Sequence, residues 1–173
     1  MKAGLDVRPS PIAGQWYTAD PRRLADSIDQ YLHKAKLSEL AGEVIGVMAP
    51  HAGYVYSGPV AGYAFAALHG LQPEIVAVVS PMHYPYLQSL LTSAHSAYET
   101  PLGAVEIDVE TLKALEDALL QHTGIPLAYI RKDPEHSLEI EIPFLQRALT
   151  SPFKLLPVMV REHDPVIVRG VGR

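Results

Sequence analysis

Glu43-Val44-Ile45-Gly46-Val47-Met48-Ala49-Pro50-His51 and Glu74-Ile75-Val76-Ala77-Val78-Val79-Ser80-Pro81-Met82-His83 repeat one pattern. Each is a short run rich in Val and Ile, closed by proline and followed by a histidine. Such runs read as strands buried on both faces, where no polar alternation is needed. Between them, Pro59 to His69 is small and apolar and ends at Gly70, which suits a helix packed closely on a sheet. A strand–helix–strand unit makes its two strands parallel. His51 and His83, 32 residues apart, then leave the same carboxyl edge, where open α/β sheets hold their ligands.

The flanking sequence extends the alternation. Asp20-Pro21 is an N-cap followed by proline at the first helical position, and Leu24, Ile28, Tyr31 and Leu32 then share one face. Shorter strands are expected at Ser89 to Ala94, Ala104 to Ile107 and Leu127 to Ile130. Asp108 caps a helix through about Gln121, with Leu112, Leu115 and Leu119 inward and Gly124 at its end. His136 to Leu149 has helical character, and Pro143 must either kink it or start a new helix. Phe153 to Val160 is a further apolar strand. The sum is an α/β fold of three layers, with a mostly parallel sheet and helices on both faces.

The chain has 173 residues, which predicts one domain over 1–173 with a core of its own. A net charge of −5 with scattered Lys and Arg argues against nucleic acid as a partner. No apolar run approaches the roughly 18 residues of a membrane span, so no membrane association is expected. Met1 to Pro11 has no apolar core of a signal peptide, and a cytoplasmic location is the simplest expectation. Zero cysteines exclude disulfides, thiolate metal sites and cysteine nucleophiles. There is no glycine-rich phosphate loop, no G-x-S-x-G elbow and no H-E-x-x-H, so no nucleotide cofactor and no serine hydrolysis is expected.

Two imidazoles at equivalent strand ends suit either a metal pair or an acid–base pair. Tyr54, Tyr56, Tyr84 and Tyr86 fall in the same two loops, where phenols could line a pocket. In Glu135-His136-Ser137-Leu138-Glu139, His136 and Glu139 are i, i+3 neighbours, a spacing used by carboxylate–histidine metal motifs. The same spacing equally fits a solvated helix start with acids at the positive end of the dipole. His33, His69, His95, His122 and His163 sit at helix ends or in polar stretches and carry no such signal.

Ala49-Pro50-His51-Ala52-Gly53-Tyr54-Val55-Tyr56-Ser57-Gly58 resembles the Memo family, also called AmmeMemoRadiSam system protein B. Four further segments agree in order. Ala13-Gly14-Gln15-Trp16-Tyr17 resembles the family's A-G-x-[WF]-Y, and Ser80-Pro81-Met82-His83 its G-P-x-H. Thr100-Pro101-Leu102-Gly103 resembles its T-P-L-G, and Glu135-His136-Ser137-Leu138-Glu139 its E-H-S-[IL]-E. The family is similar in fold to the class III extradiol dioxygenases, which use non-haem iron.

The resemblance implies that His51 and His83 are metal ligands, with iron or copper as cofactor, and that His136 and Glu139 stand behind them. It implies a metal-dependent oxidoreductase; the alternative is a non-catalytic scaffold that binds a small molecule or peptide on the same fold. Radical-SAM and AMMECR1-type proteins are the partners the family name implies. Members of the family run on past this length and supply an S-S-D-x-x-H stretch and a third metal ligand. Residues 1–173 would correspond to the family without its C-terminal part, and Arg161-Glu162-His163-Asp164 is the nearest substitute for that ligand. A sheet edge left open by such a difference favours a homo-oligomer.

Overall fold

The computed structural model describes residues 4–162 and 164–172. Its elements run β1 (Val7–Arg8), α1 (Pro21–Lys34), α2 (Tyr54–Ala66), β2 (Ile75–Pro81), β3 (Leu90–Ser93), β4 (Ala97–Tyr98) and β5 (Val105–Glu106). They continue with α3 (Val109–Thr123), β6 (Leu127–Ile130), a 3-10 turn (Glu139–Glu141), α4 (Ile142–Ala148), β7 (Lys154–Val160) and α5 (Pro165–Val171).

The strands form a mixed α/β arrangement of two sheets. The larger has the order β2-β7-β3-β6, and the smaller has β1-β4-β5. β2 runs parallel to β7 over the full length of both, from Ile75 opposite Lys154 to Pro81 opposite Val160. β7 meets β3 antiparallel, and β3 runs parallel to β6. The small sheet pairs β1 with β4 in parallel and β4 with β5 antiparallel.

Local signals place the helices. The Asp20 side chain accepts from the Arg23 amide at the start of α1, and Asp108 accepts from Thr111 at the start of α3. Gly124 ends α3 with φ +70°, a conformation that costs glycine nothing. Pro143 stands in the first turn of α4, where its missing N–H is not required, so it starts a new helix and does not kink a longer one. α2 begins at Tyr54, one turn before the proline that the sequence pattern suggested as its start, and carries Pro59 within its second turn. It lies very close to α1. A Cβ on Gly58 would come within 2.6 Å of the Tyr31 ring, and one on Gly62 within 2.7 Å of the Tyr31 carbonyl.

Two apolar clusters result. One joins the larger sheet to α3 and α5 through Leu90, Leu91, Leu112, Leu119, Leu155, Met159 and Ile167. The other joins α1, α2 and α4 through Leu24, Ile28, Phe65, Phe144 and Leu145. Val78 and Phe153 pack against both.

One expected strand is corrected. Glu43 to Ala49 carries a buried-strand sequence, yet it pairs with no strand, and Ile45 and Met48 are almost fully exposed. β2, whose sequence also reads as central, stands at the edge of its sheet with Val79 56% exposed. A strand sequence states a preference for being flanked, and here the flanking partner is absent among the described residues.

Candidate metal centre

Three loops converge above the carboxyl end of β2. His51 precedes the N-terminus of α2, where the Tyr54 amide donates to the Trp16 carbonyl and the Ser57 hydroxyl to the Ala52 carbonyl. His83 follows β2, whose last turn is tied to β7 by the Met82 amide donating to Val160. His136 comes from the segment before the 3-10 turn, which is closed by the Ile140 amide donating back to its carbonyl. The ring centroids lie 5.3 Å apart for His51 and His83, 4.8 Å for His83 and His136, and 5.8 Å for His51 and His136. One ring nitrogen from each lies within 4.8 Å of the other two.

Glu135 organises the group. One carboxylate oxygen accepts from the His83 amide at 2.6 Å; the other faces His83 Nδ1 at 3.0 Å and His136 Nδ1 at 3.1 Å. That second oxygen also accepts from the amides of His136 and Ser137. Burial alone would raise the Glu135 carboxyl, but the donors around it outweigh burial and hold it down at about 2. An ionised acceptor on two Nδ1 atoms selects the Nδ1–H tautomer, which turns both Nε2 lone pairs outward. Burial, joined by the neighbouring histidines, lowers His51 and His136 from the ordinary histidine value and favours their neutral form. Three imidazoles that can each turn a ring nitrogen to one point are a donor set for a borderline or soft-leaning transition ion.

A second buried layer lies behind Glu135. Arg8 is 1% exposed and reaches Asp133 at 2.7 Å, Glu139 at 2.5 Å and the Glu135 carbonyl at 2.7 Å. Glu139 is fully buried and also accepts from Ser10 and Tyr17. Its place is thus in the support of the His136 segment, and His136, which the family resemblance set behind the other two, stands beside them. Trp16 covers the His136 ring, with centroids 4.0 Å apart.

The tyrosines divide. Tyr54 is buried, packs on Tyr17 and Phe144, and donates its hydroxyl to the Ile140 carbonyl. Tyr56 is exposed at the surface of α2, and Tyr84 lines a shallow depression with Pro11, Tyr86 and Asp133. Tyr86 donates to the Lys132 carbonyl. Of the segment named as a substitute for a third ligand, His163 lies outside the described residues, and Asp164 caps α5 by accepting from Val166. Glu135, Arg8 and Trp16 were not singled out individually from the sequence. Glu135 and Trp16 stand inside recognised motifs, but Arg8 gives no sequence signal, because its partners are more than 120 residues away.

A family model described as Memo-like protein matches residues 8–173. A MEMO1 family protein of Nitrosopumilus maritimus is 33% identical over 96% of this chain and 61% of its own length. One from Methanopyrus kandleri is 35% identical over 95% of this chain and 60% of its own length. In Saccharomyces cerevisiae a MEMO1 family protein is 29% identical over 97% of this chain and 53% of its own length. The chain therefore spans a little over half the length of these curated relatives.

Proposed function

The chain belongs to the Memo-like family, and on that premise we propose that His51, His83 and His136 hold one iron or copper ion for oxidoreductase chemistry. On this proposal the mixed α/β fold is similar to that of the extradiol dioxygenases, and the ion would sit in the crevice at the carboxyl end of β2. The observation that carries the reading is the Glu135 carboxylate shared by His83 Nδ1 and His136 Nδ1. A carboxylate behind the Nδ1 atoms of imidazoles is the arrangement that orients metal-bound histidines, and here one carboxylate serves two of the three.

The donor set fits in size as well. Ligand nitrogens about 2.1 Å from a tetrahedral ion stand roughly 3.4 Å from one another, so three nitrogens already within 4.8 Å need only small side-chain rotations. When bound, such an ion supplies a Lewis acid with open positions and, for iron or copper, one-electron chemistry. The chain's own residues do the rest. Glu135 holds the tautomer, the Arg8 layer holds Glu135 and Glu139, and Trp16 shields one face of His136 from water.

The test is direct. The purified chain is titrated anaerobically with Fe(II) and separately with Cu(II), and bound metal is measured by elemental analysis after gel filtration. One equivalent is expected, lost in His83→Ala and His136→Ala. Oxygen uptake with a catechol then follows on the loaded protein. Metal content no higher than in the His83→Ala variant would overturn the assignment of ligands; stoichiometric metal without oxygen uptake would overturn the oxidoreductase reading alone.

A further inference from the structure

Trp16, the one tryptophan of the chain, lies with its ring 4.0 Å from that of His136, and the next residue is Tyr17. Neighbouring Cα atoms are about 3.8 Å apart, so indole and phenol branch from adjoining points of the chain. Tyr17 is 5% exposed and packs on Tyr54, with ring centroids 5.4 Å apart. Beyond Tyr54 come Phe144 at 4.9 Å and then Phe65 at 5.0 Å. A row of aromatic rings thus leads from the histidine cluster into the apolar core.

The two buried phenols differ in what receives their proton. Tyr54 donates to the Ile140 main-chain carbonyl at 2.8 Å, the kind of neutral partner most buried hydroxyls find. Tyr17 donates instead to Glu139 Oε1 at 2.7 Å. Ser10 donates to the same oxygen, and Arg8 holds the other. A carboxylate can take a proton away; a carbonyl only shares it. Burial, and after it the Glu139 charge, raise the Tyr17 hydroxyl, so it does not ionise by itself at neutral pH. Its proton leaves together with an electron.

We propose that Trp16 and Tyr17 form a relay that draws an oxidising equivalent away from the three histidines and ends as a Tyr17 radical. The oxidant is a one-electron oxidant generated from peroxide at the histidines, and for that source alone the proposal rests on the metal reading. Trp16 gives one electron to the oxidant and becomes an indole cation radical. Tyr17 then returns one electron to the indole as its O–H bond breaks, and the proton passes to Glu139 Oε1. The products are a neutral indole, a neutral phenoxyl radical and a neutral carboxylic acid, so charge, electron and proton balance. The transfer stops there, because Tyr54 has no base and phenylalanine is far harder to oxidise. The imidazoles keep their lone pairs, and the radical sits on a ring shut off from water.

Flash–quench oxidation tests the relay on the metal-free chain, so its outcome does not depend on whether the histidines bind an ion. Photogenerated tris(bipyridine)ruthenium(III) takes an electron from Trp16, whose indole is partly exposed. Transient absorption should show the indole radical decaying while a tyrosyl radical grows in step, more slowly in D2O than in H2O. In Tyr17→Phe the coupled growth should be lost and the indole radical should persist. Tyr54→Phe should leave both phases as in the parent. Circular dichroism checks that the variants fold, and if Tyr17→Phe does not, the solvent isotope effect in the parent decides. An indole radical that decays alike in the parent and in Tyr17→Phe would overturn the proposal. So would equal rates in the two waters, or loss of the coupled growth in Tyr54→Phe.

Discussion

Behind the three histidines, the buried carboxylates Asp133, Glu135 and Glu139 are met by Arg8, by Ser10 and Tyr17, or by main-chain amides. Beside the same histidines, Ser80 and Glu141 stand along a groove: Ser80 Oγ is buried without a hydrogen-bond partner, and burial alone acts on the Glu141 carboxyl. The two walls are built from nearby stretches of chain: Glu139 and Glu141 are separated by one residue. What differs is whether a complementary segment has been folded against them. The satisfied wall therefore sets the positions of the histidines, and the other borders an open apolar groove.

The largest effect should come from breaking the satisfied wall at its centre. Arg8→Ala leaves Asp133 and Glu139 buried without their cation, and a loss of about 4 kcal/mol in urea unfolding is expected. A loss below about 1 kcal/mol would mean that the buried layer contributes little to the fold.

Glu135→Gln should cost about 3 kcal/mol at neutral pH and lower metal affinity at least tenfold. Its pH dependence carries a sign. The folded Glu135 is depressed to about 2 from 4.5, so its contribution is present above pH 4.5 and is lost as pH falls towards 2. The Gln variant should lack that acid-dependent decline, and parallel stability curves for the two proteins between pH 5 and 3 would contradict it.

Glu141 gives the opposite sign on the open wall. Burial raises it to about 8, so the stability of the folded chain is full below pH 4.5 and falls as pH rises through 8. Glu141→Gln should be more stable than the parent at pH 9 by about 2 kcal/mol, a figure reduced for the water that reaches the groove. Equal unfolding midpoints at pH 9 would mean that the acid is already answered.

The smallest effect is expected at His51. Its loop adds little apolar burial, so His51→Ala should change apo stability by about 1 kcal/mol or less while metal retention falls. A large drop in the apo melting temperature would make His51 a structural residue.

The same contrast explains what could be read from the sequence. Helix starts at Asp20 and Asp108, the stop at Gly124, and the restart at Pro143 are set by neighbours within a few residues. β7 was legible because its apolar run finds partners on both sides, β2 and β3. Glu43 to Ala49 has the same composition and finds none, and no local pattern distinguishes the two cases. β1 and β4 are two residues each, too short for any periodicity, and exist because they pair. At the three-histidine cluster, equivalent placement after two apolar runs pointed to His51 and His83. The run at Glu43 to Ala49 is unpaired, so contacts at the start of α2, with Trp16 and Ala52, hold the first of them. His136 was harder, since its i, i+3 relation to Glu139 assumed a helix where the chain makes a turn and then a 3-10 segment.

Trp16 is the one tryptophan of the sequence, and its ring lies 4.0 Å from that of His136. The molecule thus carries an optical reporter at its own centre. An indole in van der Waals contact with a ligand of a paramagnetic ion loses its emission by electron exchange when the ion arrives. Steady-state quenching near 340 nm, roughly where indole emits, would then follow occupancy of the three histidines without any label, and the nine tyrosines would serve as light-gathering donors to the same acceptor.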